Sequence, residues 1–144
     1  MRYKQIRMKK LCCLLTAIIV ISTTQAQKID YKHDKVTVDG KELLSFEKKK
    51  KSDEYTFYKL NTTDEVLFIS YEKNGTPSYY GDDYTRIFFL QLNIKVESKT
   101  IGFGMSGKPV IQELIEDKVL LPDGTIDGEK AKQFFTKYND QVTK

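Results

Sequence analysis

Histidine and cysteine, the residue types that do most of the reactive chemistry in small proteins, are nearly missing from this chain. It has one His and two Cys in 144 residues. Cys12 and Cys13 both lie at the start of an apolar run near the N-terminus. If that run is removed, no disulfide framework, thiol nucleophile or cysteine metal site remains. His33 stands alone among Tyr31, Lys32 and Asp34, as an exposed strand residue would. A Ser-His-Asp triad would need it beside a Ser such as Ser106, but Ser106 sits in Gly-Met-Ser-Gly and the chain has no G-x-S-x-G elbow. Catalysis has little material, and no catalytic residue, metal ligand or cofactor is assigned.

Long apolar runs are also scarce. Leu11–Ile21 is 11 residues, about half of the roughly 20 that an α-helix needs to cross a bilayer. Arg2, Lys4, Arg7, Lys9 and Lys10 precede it without an acid, and Thr24-Gln25-Ala26 follows it with small residues at the spacing a signal peptidase requires. Residues 1–26 therefore read as a cleaved signal peptide, with Met1 or Met8 as the start. No Cys stands at the end of the run to carry a lipid. The expected product is soluble, without stable membrane insertion, in the periplasm or outside the cell.

Excess positive charge disappears with that segment. The chain has 24 Lys and Arg against 20 acids; five of the basic residues and none of the acids precede Gln27, leaving 19 against 20. A near-neutral chain without an arginine-rich stripe has no general pull on nucleic acid, so none is expected as a partner.

What is present is a set of large β-favouring residues. Eight Phe and nine Tyr concentrate between Tyr55 and Phe103. Residues 27–144, 118 in number, have the length of one globular domain. Val36–Val38 meets Leu43–Phe46 across Asp39-Gly40, a dipeptide suited to the positive φ of a type I′ turn. Tyr55–Leu60 and Glu65–Glu72 flank the turn-prone Asn61-Thr62-Thr63-Asp64. Thr85–Glu97 reads as one strand, with Phe88, Leu90, Leu92, Ile94 and Val96 on one face.

After Gly107 the period changes. Pro109 suits a first helical turn ahead of the stripe Val110, Ile111, Leu114 and Ile115. Asp127 is a suitable N-cap for a second helix with Ala131, Phe134, Phe135 and Tyr138 on one face. Strands followed by helices predict an α+β fold: an antiparallel meander of about five or six strands with two C-terminal amphipathic helices packed on one face.

Several motifs invite functional readings. Gly102 to Lys108 fits G-x-x-x-x-G-K, but Pro109 stands where a phosphate loop needs Ser or Thr to hold Mg²⁺. A Gly-rich turn feeding the helix is the better reading; an anion carrier using its free N–H groups is a third functional class. Asp123-Gly124-Thr125-Ile126-Asp127 resembles part of a calcium loop, yet Val119, Leu121 and Lys130 fall where ligand oxygens are needed, so a Pro-Asp-Gly turn is expected. Lys48–Lys51 reads as a solvated hairpin tip. Asn61-Thr62-Thr63 and Asn74-Gly75-Thr76 fit the glycosylation sequon, but the lysine-rich signal has a bacterial look and both are expected to be bare turns.

Tyr79, Tyr80, Asp82, Asp83 and Tyr84, broken by Gly81, form the best candidate ligand-binding surface. Flat amphipathic rings with carboxylate acceptors suit a protein, peptide or glycan partner. The competing structural reading packs Tyr80 or Tyr84 on the sheet edge. The chain is thus read as a small exported non-enzymatic binding module. The alternative is an extracytoplasmic hydrolase with a carboxylate pair at Asp82 and Asp83.

Overall fold

In the computed structural model, residues 27–102 and 107–143 are described. The expected signal segment, both cysteines and Ser106 lie outside them. Among the described residues seven strands form one antiparallel sheet in strict chain order: β1 (Ile29–Lys32), β2 (Lys35–Val38), β3 (Lys41–Lys48), β4 (Glu54–Lys59), β5 (Glu65–Glu72), β6 (Tyr84–Phe89) and β7 (Ile94–Ser98). Two helices follow, α1 (Lys108–Glu116) and α2 (Gly128–Tyr138). The α+β class and the C-terminal helices are as the residue pattern predicts, with more strands than the expected five or six.

The extra strands come from two tight hairpins. His33 and Asp34 take φ of 47° and 59°, which folds the N-terminal stretch into a β1–β2 hairpin with exposed His33 in its turn. The second divides the expected long strand Thr85–Glu97. A 3₁₀ turn at Leu90–Leu92 ends with Asn93 at φ 53°, and the chain reverses. Asn tolerates this left-handed conformation, so no glycine is needed. The reversal changes the expected faces: Ile87 pairs with Val96 and Phe89 with Ile94 on the core side, Phe88 pairs with Lys95 on the other, and Leu92 is left exposed.

Other local signals are realised as read. Asp39 and Gly40, at φ 51° and 82°, make the two-residue turn between Val38 and Lys41. Lys48–Lys51 is exposed at the β3–β4 connection, where Lys49 pairs with Glu54. The sequon residues Asn61 and Asn74 occupy turns with positive φ. Gly124 N–H donates to the Leu121 carbonyl at 2.9 Å, and Asp123 accepts from the Thr125 amide and hydroxyl, closing a Pro-Asp-Gly turn. Asp127 caps α2 by accepting from the Lys130 amide at 2.9 Å.

Both helices cover one face of the sheet, α1 toward β1 and α2 against β7. Val110, Ile111 and Leu114 of α1 and Ala131 and Phe134 of α2 join Leu44, Phe57, Leu67, Ile87, Phe89 and Val96 in one buried cluster. The expected stripe of α2 is narrower than read. Phe134 is buried, edge-on to Phe89 at 6.0 Å, whereas Phe135 is 37% exposed. Close approach explains two glycines of the Gly-rich segment: a Cβ on Gly107 would lie 2.9 Å from the Tyr31 hydroxyl, and one on Gly102 would lie 2.8 Å from Val110. Residues 103–106, between them, lie outside the described residues.

Beyond α2 the chain runs along the free edge of β7. Glu97 N–H donates to Asn139 Oδ1, the Asp140 amide donates to the Glu97 carbonyl, and the Lys99 amide donates to Asp140 Oδ2. These bonds occupy groups that an open edge would offer to another chain.

Candidate functional site

The loop between β5 and β6, residues 73–83, carries four of the five candidate residues, and Tyr84 begins β6. Asn74 and Gly75 adopt φ of 46° and 74° to turn the chain out of β5, and the Thr76 amide closes the turn on the Lys73 carbonyl. The Tyr79 amide donates to the Thr76 carbonyl at 3.0 Å, making a second turn. Two successive turns lift Tyr79 and Tyr80 away from the sheet. Their side chains stand 63% and 64% exposed.

The acids hold this loop from within. Asp82 accepts from the Thr76 hydroxyl, 2.8 Å from each carboxylate oxygen, and from Asn74 Nδ2 at 3.4 Å. Asp83 is buried, 4% exposed, and its Oδ2 accepts from the Tyr71 hydroxyl at 2.6 Å. That bond to a carboxylate, with burial and the negative charge of Asp83, pushes the Tyr71 phenol up to about 12. Tyr84 is buried as well; its hydroxyl accepts from Arg86 Nη2 at 2.9 Å, and Arg86 also pairs with Glu72. Gly81 has a steric reason. The Tyr79 phenol folds over it, so that a Cβ there would lie 2.5 Å from the Tyr79 hydroxyl.

The five residues therefore divide by role. Tyr79 and Tyr80 present rings to the surroundings; Asp82 and Asp83 make bonds that fix the loop, and Tyr84 is buried at the start of β6 and bonded to Arg86. Asp82 and Asp83 bind different partners and line neither the cleft of about 510 Å³ beside Leu43 nor the depression of about 630 Å³ beside Tyr58. Sequence reasoning missed Tyr71, Thr76 and Asn74 as supports. Thr76 could have been found from its place two residues after Asn74 in a turn. Tyr71 is identified only by the strand register, which sets it opposite Thr85.

On the sheet face away from the helices lies a second polar group. Glu97, 1% exposed, accepts from the Thr143 amide at 2.7 Å and hydroxyl at 2.5 Å and pairs with Lys95 at 3.1 Å. Burial alone would raise this carboxyl. The Thr143 bonds and Lys95 outweigh it and hold the group down to about 2. Among the described residues no group of three or more His, Cys, Asp and Glu is placed to hold a metal ion, and no helix is long and apolar enough to cross a membrane.

Comparison with models of known protein families, with curated proteins and with solved structures finds no match.

Proposed function

We propose that this protein is exported and works as a non-enzymatic binding module, with Tyr79 and Tyr80 as the contact surface for a protein, peptide or glycan. The observation that carries the reading is the exposure of two adjacent tyrosine rings on a loop whose acids bond within the fold, Asp82 to Thr76 and Asp83 to Tyr71 of β5. Tyrosine gives large amphipathic contact area at low cost in side-chain entropy. A loop held by Asp82 and Asp83 loses little further freedom on binding, which favours affinity. Burial of Asp83 and the engagement of Asp82 favour this over carboxylate chemistry at the same loop.

Replacing both rings tests it. Capture of the partner from culture fluid, compared between wild type and the Tyr79→Ala/Tyr80→Ala double variant, should lose the partner in the variant with melting temperature unchanged. Full capture by the folded double variant would place the contact surface elsewhere.

A further inference from the structure

A second candidate site lies on the opposite side of the fold from the tyrosine loop's supports, where the β2–β3 hairpin meets the connection between the helices. Val38, Leu43, Ile115, Leu121 and Pro122 line a cleft of about 510 Å³ there, within the roughly 300–1,000 Å³ of small-molecule sites. One wall is held close: a Cβ on Gly124 would lie 2.8 Å from the Leu43 carbonyl oxygen, so the Pro122–Gly124 turn is seated directly on β3. The cleft is built into the backbone packing rather than left between loose side chains.

Four charged residues surround this apolar floor: Asp39, Lys41, Glu42 and Lys118. Both acids have donors already. Asp39 accepts from the Lys28 amide at 2.9 Å, and Glu42 from Lys35 Nζ at 2.5 Å. Lys41 and Lys118 are exposed and form no ion pair among the described residues. With Lys35 set against Glu42, the mouth keeps two ammonium groups against the single charge of Asp39.

From this chemistry we infer that the cleft binds a single-chain amphiphile with an anionic head, in the simplest case a fatty carboxylate. Its alkyl chain lies on Val38, Leu43, Ile115 and Leu121, and its carboxylate meets Lys41 and Lys118. An uncharged floor gives the chain its affinity through burial from water. The two lysines select the sign of the head, because a cationic head would meet unpaired like charge. The site is independent of the tyrosine loop.

Titration calorimetry on the purified chain tests this with sodium alkanoates of increasing length, each kept below its micelle concentration, and alkyltrimethylammonium salts of matched length. One saturable site is expected, with affinity for the alkanoates rising about fourfold per methylene until the cleft is filled. Matched cationic amphiphiles should bind at least about tenfold more weakly, and the exposed Lys41→Gln/Lys118→Gln variant should lose a similar factor for alkanoates without a change in melting temperature. The Tyr79→Ala/Tyr80→Ala variant should bind alkanoates as wild type does, so the two sites fail or survive separately. Non-saturable uptake, equal affinity for both head charges, or full alkanoate affinity in the double-lysine variant would each overturn the inference.

Discussion

The Tyr71 hydroxyl donates to Asp83 Oδ2 at 2.6 Å, tying the last core-facing residue pair of β5 and β6 to the base of the exposed loop. Removing the donor leaves a buried carboxylate without that bond. Tyr71→Phe should therefore cost about 1–3 kcal/mol in a denaturant titration and speed amide exchange in residues 79–83. In wild type, absorbance titration should show at least two tyrosines still protonated near pH 11: Tyr71, which Asp83 holds up to about 12, and Tyr31, which burial raises well above the ordinary range. Tyr71→Phe should remove one of them. A Tyr71→Phe protein as stable as wild type would show that the bond contributes nothing to the loop.

Glu97 sets the expected acid sensitivity. Its folded-state carboxyl is held down to about 2 against an ordinary value of 4.5. A lowered folded value means that the stabilisation is present in full above about pH 4.5 and is lost as pH falls through about 2. The amount is roughly 3 kcal/mol. Unfolding midpoints measured from pH 7 to pH 2 should fall steeply at the acid end, and Glu97→Gln should flatten that fall while lowering stability at pH 7. Parallel profiles for the two proteins would remove Glu97 as the cause.

Adjacent phenylalanines in α2 should differ sharply. Phe134 is buried against Phe89 and Tyr138, and Phe134→Ala should cost on the order of 3–5 kcal/mol. Phe135 is 37% exposed, and Phe135→Ala should cost less than about 1 kcal/mol. Equilibrium unfolding of the two single variants compares them directly; equal losses would mean that α2 is rolled differently on the sheet.

Export predicts a defined N-terminus. Intact mass and N-terminal sequencing of protein recovered outside the cytoplasm should give a chain beginning at Gln27, as Thr24-Gln25-Ala26 and the 11-residue apolar run imply. Recovery of a cytoplasmic chain that retains its start would remove the export reading.

Much of the fold was legible because it rests on contacts between near neighbours in the chain. Asp39-Gly40 specifies its own turn through tolerance of positive φ, Asp127 caps α2 through an amide three residues ahead, and Pro109 marks the first turn of α1. The turn-prone Asn61-Thr62-Thr63-Asp64 between two β-favouring stretches marked β4 and β5. None of these depends on what the rest of the chain does.

Decisions that required two distant segments to meet belonged to the tertiary structure. Unbroken alternation through Leu90 and Leu92 fits a continuous strand, and the reversal at Asn93 wins because it returns Ile94 and Val96 to the helix-covered face beside Phe89 and Ile87. Phe134 and Phe135 are equivalent in composition; packing against Phe89 fixes the roll of α2 and buries one of them. Asp82 and Asp83 are likewise adjacent, yet Asp83 is buried because β5 brings Tyr71 across to it, while Asp82 closes its own loop onto Thr76. Local chemistry thus determined where the chain turns and which stretches are amphipathic; long-range packing decided which of two like neighbours is buried, and so which side chains remain free to meet a ligand.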